Sequence, residues 1–343
     1  MTPREAIAAA IDHQEVRPVP YLLSIDEPVA QRMDEHFGSP QWRKRLKNYF
    51  LYTYAVDYMH KDPIGDPAQG LSRDLFGSIW KMGTPMHLEE PAMSRPSFEG
   101  FDWPAPQRFY VKDADLASIK ADCQANQDLY RLGCIWWGLM ETSWGLRGFE
   151  NILMDCAAEE DFYEELLERI TLLYLDFVDR TCTQLPVDGV LFGDDWGDQR
   201  GVIIGPDRWR RFMKPRWARI YDRVHSHGKK VFTHCCGSIV DIMDDLVEIG
   251  LDVLESCQPE ARGMNPYALK KRWGGKLTFW GCLGSQSTMP FGTPEQVTAE
   301  VRRLCREMGS GGGYILAAAK SLQSETPTAN AVAALEAFTD QRI

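Results

Sequence analysis

The residues best equipped for chemistry stand where short apolar runs end in the second half of the chain: Asp194 and Asp195, His234 with Cys236, Cys257 and Gln258, Cys282, and Lys320. His234 and Cys236 are two apart in an apolar run, so on an extended chain their side chains share a face. An imidazole and a thiolate converging in this way are what a zinc site requires. Cys235 then points the other way and reads as structural. The plain alternative is a buried cysteine beside a hydrogen-bonded histidine. A metal needs at least a third protein ligand, and Cys282 or Glu141 could supply it. Cys282 could instead pack under a loop, and Glu141 could bind a substrate hydroxyl or amine.

The Asp194–Asp195 pair follows the apolar run Val190, Leu191, Phe192, which should bring at least one carboxylate into a site. A partly buried acid beside another acid has a raised pKa and can serve as general acid or base. The other would cap a helix or bond to a loop. Gln199 and Gln258 are further polar candidates for substrate binding. Arg147 could grip a substrate carboxylate with its planar fork or form a salt bridge within its own loop. Lys320 is a candidate for proton handling.

These residues need a scaffold that brings strand ends together. Apolar runs at 133–139, 189–194, 230–236, 253–257, 277–282 and 312–318 read as strands, with 18–23 as a first strand. Helical patterns separate them at 149–156, 161–184, 206–227, 238–249, 265–272, 293–308 and 326–338. In the long one, Phe162, Leu166, Ile170, Leu173 and Phe177 recur at spacings of three and four. Ser238 is a candidate N-cap, and Thr293, Pro294 and Glu295 form a cap, first-turn proline and first-turn acid. Such alternation predicts βαβ units and a parallel sheet, closed into a (β/α)8 TIM-type barrel with its active site at the C-terminal strand ends. An open doubly wound sheet is the alternative, but no glycine-rich phosphate fingerprint follows a strand. The triplet Gly311, Gly312, Gly313 precedes one instead. Residues 25–130 read as an irregular insertion within a single domain spanning 1–343.

Composition narrows the partners. The 343 residues are 44% hydrophobic and 25% charged, enough apolar material for a large core. A formal net charge of −11 argues against broad nucleic-acid binding. No apolar run is long enough for a membrane span, and the N-terminus reads as a short helix rather than a signal peptide. Nine cysteines without a compact framework fit a reducing compartment, so a cytoplasmic setting is expected. A homodimer is left open.

The sequence Thr-His-Cys-Cys-Gly-Ser at 233–238, preceded by Asp194 and Asp195, resembles the uroporphyrinogen decarboxylase superfamily. So do Phe-Trp-Gly-Cys-Leu at 279–283 and the closing segment from Gly312 to Glu325, Thr326 and Pro327. The similarity covers roughly residues 135–340, and its most specific elements are the His-x-Cys-Gly and the final Glu-Thr-Pro. It implies a (β/α)8 barrel with two functional branches, the decarboxylases and the zinc-dependent methyltransferases that pass methyl groups to or from corrinoid cofactors. The decarboxylases carry Arg-Gln-Ala-Gly-Arg just after the first strand to grip substrate carboxylates. This chain has Leu-Leu-Ser-Ile-Asp-Glu-Pro at 22–28, so an anionic tetrapyrrole would meet Asp26 and Glu27 where it needs arginines. Within the methyltransferase branch, the zinc-binding histidine and cysteine match His234 and Cys236. The branch's further cysteine, six residues before the threonine of the final Thr-Pro, is replaced by Lys320.

Three functions follow as expectations. The first is metal-assisted methyl transfer between a small methylated substrate and a corrinoid or thiol acceptor, with zinc on His234 and Cys236 and the corrinoid carried by a partner protein. The second is a metal-free decarboxylase or lyase acting on a small acid or tetrapyrrole, with Arg147 on the carboxylate and Lys320 or an aspartate handling the proton. The third is a non-catalytic corrinoid- or tetrapyrrole-binding protein.

Overall fold

In the computed structural model, which describes residues 1–83 and 85–341, eight parallel strands form one sheet curled into a barrel. They are β1 (Tyr21–Leu22), β2 (Phe50–Thr53), β3 (Tyr130–Ile135), β4 (Gly189–Gly193), β5 (Lys230–His234), β6 (Val253–Cys257), β7 (Thr278–Leu283) and β8 (Tyr314–Ala318). Each strand from β2 to β7 pairs in parallel with the next, and β8 pairs with β1. At the remaining β1–β2 seam, side chains bridge in place of a ladder. The Tyr21 hydroxyl accepts from the Lys47 amide at 3.0 Å, and the Tyr21 and Tyr49 rings meet edge to face at 5.3 Å. The fold is the expected (β/α)8 barrel.

Strands β3, β4, β7 and β8 are buried at every residue, as parallel strands covered on both faces must be. Inside the barrel, Trp280 stacks on Phe50 at 4.5 Å and packs edge-on to Phe232 at 6.1 Å, so the interior is a filled core beneath the mouth. The helix Glu160–Gln184 lays Leu166, Ile170, Leu173 and Phe177 against the barrel. Thr293 caps the helix Pro294–Glu307 as expected, closing a capping box with Gln296.

Several local expectations change. The run read as a strand at 133–139 ends at Ile135, because Trp137 takes a left-handed φ of 63° and a new helix, Leu139–Arg147, begins. Ser238 caps no helix; its hydroxyl donates to the Arg262 carbonyl, and the helix there is Met243–Glu248. The stretch 25–130 holds the second barrel strand β2, the helices Glu27–Phe37 and Asp113–Ala125, and a four-stranded antiparallel sheet of Lys61–Pro63, Leu71–Asp74, Ile79–Lys81 and His87–Glu90. No helix is long and apolar enough to cross a membrane among the described residues.

Candidate active site and metal centre

Register places the chemistry. Gly193 of β4, His234 of β5 and Glu255 of β6 are neighbours in the ladder, so their side chains and the following loops meet at the C-terminal mouth. His234 Nδ1 is bonded to the Glu255 carboxylate. Its Nε2 lies 3.4 Å from Cys236 Sγ and 3.8 Å from Asp195 Oδ1. Asp195 Oδ1 also accepts from the Cys236 amide at 2.8 Å, which ties the β4 loop to the β5 loop. Among the described residues, Asp195, His234 and Cys236 form the one group of three whose ligand atoms come within 4.8 Å of one another.

The donor set fits a zinc-like cation. Two ligands held at zinc bond lengths in a tetrahedral arrangement stand about 3.3–3.6 Å apart, close to the separations here. A carboxylate on the remote ring nitrogen fixes the proton on Nδ1 and leaves the Nε2 lone pair for a metal, the arrangement that supports metal-bound histidines. Burial disfavours the imidazolium, but Glu255 and the Cys236 sulfur outweigh it and hold the His234 pKa well above its ordinary value. A metal must therefore displace a proton here, which makes its affinity rise with pH.

The turn carrying Cys236 depends on Gly237. Its φ is 78°, and a Cβ there would come within 2.6 Å of the Gly197 and Asp198 carbonyls. Gln258, 5% exposed, accepts from the Gly237 amide at 3.1 Å and faces Gln199 at 3.3 Å. Gln258, expected to bind substrate, instead braces this turn, and Gln199 lies exposed beside it.

Asp194 is fully buried, and its oxygens are taken up by the Met140 and Glu141 amides (3.1 and 3.0 Å) and the Trp196 indole N–H (2.6 Å). It caps the helix Leu139–Arg147, and the approach is open because residue 138 is glycine; a Cβ there would sit 2.4 Å from Asp194. Burial lifts its pKa to about 7 against the pull of those three donors. Asp194 is thus a positioning residue, while Asp195, expected as a proton carrier, stands among the ligand atoms. Glu141 is lifted to about 8, first by burial and then by the charges of Asp194 and Asp195, so it is largely protonated at neutral pH.

Two expectations are corrected by packing. Arg147 is 3% exposed and donates to Asp155 from Nε (2.7 Å) and Nη2 (3.1 Å) and to the Met93 carbonyl from Nη1 (2.8 Å). Its fork is bonded inside the protein and closed off from solvent, so it is out of a substrate's reach. Cys282 is fully buried with a φ of 77°, against Cys257 and near Glu300 and Lys270 of the helix layer. The register slip between β6 and β7, together with the positive φ of Gly281 and Cys282, breaks the alternation that would have aimed it at the mouth.

The mouth holds a cavity of about 420 Å³, with His234 and Glu255 on one side and Lys320 on its lining. Glu255 was missed in the sequence; its signal is a lone acid inside the apolar run Val-Leu-Glu-Ser-Cys, on the strand that follows His234's.

The profile described as Uroporphyrinogen decarboxylase (URO-D) matches residues 138–341. Among solved structures, a methyltransferase from Methanosarcina mazei aligns over 99% of this chain and 99% of its own, with 18% identity and a TM-score of 0.70. At that identity the likeness speaks for the barrel alone. No curated protein matches the chain. With more than half of its length in that profile, the chain belongs to the uroporphyrinogen decarboxylase (URO-D) family.

Proposed function

We propose that this protein is a metal-dependent methyltransferase, with Asp195, His234 and Cys236 holding zinc at the mouth of the barrel. The observation that carries the reading is the three-donor cluster with Glu255 behind the histidine. A catalytic zinc typically has three protein ligands and a position left for substrate. When bound, the metal would act as a Lewis acid on the heteroatom that gives up or accepts the methyl group.

The chain's own residues supply the rest. Glu255 orients the imidazole, and the Asp195–Cys236 contact fixes the two loops relative to each other. Glu141, protonated at neutral pH, can give a proton to a departing alkoxide or amine and is the candidate general acid. Methyl leaves the donor without its bonding pair and joins a nucleophilic acceptor, a corrinoid on a partner protein or a small thiol. Tyr54, on the lining of the cavity, is 39% exposed.

The test is methyl exchange between methylcobalamin and a small thiol, followed by the cobalamin spectrum. Exchange that disappears on chelation, returns with added zinc and is absent in His234→Ala supports the reading. Equal rates in metal-stripped and zinc-loaded protein sink it.

A further inference from the structure

One strand braces the cluster at several points. On β6, Glu255 bonds the His234 ring, and Gln258, just past the strand's end, accepts from the Gly237 amide. Between them stands Ser256, fully buried. Its hydroxyl donates to the Ala319 carbonyl at 2.5 Å and lies 3.8 Å from Cys236 Sγ. The function proposed above gives Ser256 no work.

Regular alternation would forbid this arrangement. Neighbours on a strand point to opposite faces, so with Glu255 turned into the mouth, Ser256 should face the helix layer. The ladder shows why it does not. Glu255 pairs with Trp280 and Cys257 with Gly281, so Ser256 is one extra residue, a bulge on β6. A bulge re-aims side chains. Here it puts Glu255 and Ser256 together on the side of the cluster and leaves Cys257 behind them, against Cys282. β7 makes room for it at Gly281, whose φ is 121° and where a Cβ would stand 3.1 Å from the Ser256 carbonyl carbon.

A buried serine needs one acceptor, and the Ala319 carbonyl would suffice if the role were packing alone. The bulge sets the same oxygen against a sulfur of the cluster as well. A hydroxyl carries one hydrogen to give, whereas a metal-bound thiolate can only accept. Between these two atoms the hydroxyl is therefore the donor once a metal is held.

We propose that Ser256 is a positioning residue of the metal centre. Its hydroxyl, poised between Ala319 and Cys236, gives its hydrogen to the Cys236 thiolate in the loaded protein, steadying that ligand and drawing charge from its sulfur. This rests on the metal cluster proposed above and not on methyl transfer.

The test is the spectrum of the cobalt-substituted protein, in which a bound thiolate gives a sulfur-to-cobalt charge-transfer band in the near ultraviolet. A hydrogen bond to sulfur lowers the energy of its lone pairs, so losing it in Ser256→Ala should move that band to longer wavelength. Ser256→Thr, which keeps the hydroxyl, should show the wild-type band. Zinc affinity, read by competition with a chelating dye, should fall about tenfold in Ser256→Ala and hold in Ser256→Thr. A band unmoved in Ser256→Ala, or moved equally in Ser256→Thr, leaves the hydroxyl a packing group and overturns the proposal, even if the unfolding temperature drops. Wild type that takes up no cobalt, or takes it up without a thiolate band, refutes the metal cluster and Ser256's role with it. A Ser256-dependent band in protein that transfers no methyl group supports the positioning role and refutes methyl transfer alone.

Discussion

Replacing Glu141 with glutamine should stabilise the metal-stripped protein, and by an amount that grows with pH. The native carboxyl titrates near 8, against an ordinary value of 4.5, because burial and the neighbouring aspartates oppose its charge. Below 4.5 both native and unfolded chains hold the proton, so wild type and Glu141→Gln differ little in charge cost. Between 4.5 and 8 the native state binds a proton that the unfolded state has lost, so wild-type stability falls as pH rises. Each pKa unit corresponds to about 1.4 kcal/mol, so the accumulated penalty is about 3 kcal/mol at pH 7 and approaches about 5 kcal/mol above pH 9. Glutamine fills the same space without ever ionising. Urea unfolding of both proteins from pH 4 to pH 9, after chelation, should give midpoints that coincide in acid and diverge steadily above it. A constant gap across the range would refute the account of Glu141 as a carboxyl held neutral by its surroundings.

Glu255→Gln should leave the fold intact but weaken zinc binding by about ten- to a hundredfold, since the support behind the imidazole is lost; competition with a chelating dye reads this directly. Cys282→Ala should keep a full complement of metal while losing about 1–2 kcal/mol of stability from the small space left in the core, and loss of metal there would contradict its placement. Arg147→Met should strand the Asp155 carboxylate in the interior and cost about 3–5 kcal/mol in chemical unfolding, with the KM of the folded fraction unchanged.

The barrel was legible because parallel strands buried on both faces make continuous apolar runs, and those runs alternate with amphipathic helices from residue 130 onward. In the first half the run at 18–23 marked β1, but β2 has only four residues and the strands of the small antiparallel sheet three or four, too short for a periodic signal. At the site, the His-x-Cys pair could be read because, although β5 ends at His234, the turn that follows still brings Cys236 Sγ to 3.4 Å from the His234 Nε2. Cys282 could not, because its left-handed backbone is invisible in the residue types. The two aspartates were recognised as a pair, but which one turns inward depends on the space left by Gly138, on a different strand's loop and far away in sequence. Gln258 and Arg147 look like free polar groups in a sequence, and only packing shows that their hydrogen bonds are already spent.

The central claim is that Asp195, His234 and Cys236 together hold a metal. Elemental analysis of protein purified without chelators tests it most directly, with wild type beside Asp195→Ala, His234→Ala and Cys236→Ala, and Cys282→Ala as the packing control. The account predicts close to one zinc per chain in wild type and Cys282→Ala, and a marked loss in each of the other three. Wild-type protein without metal even after incubation with zinc, or zinc retained in all three ligand variants, would contradict it.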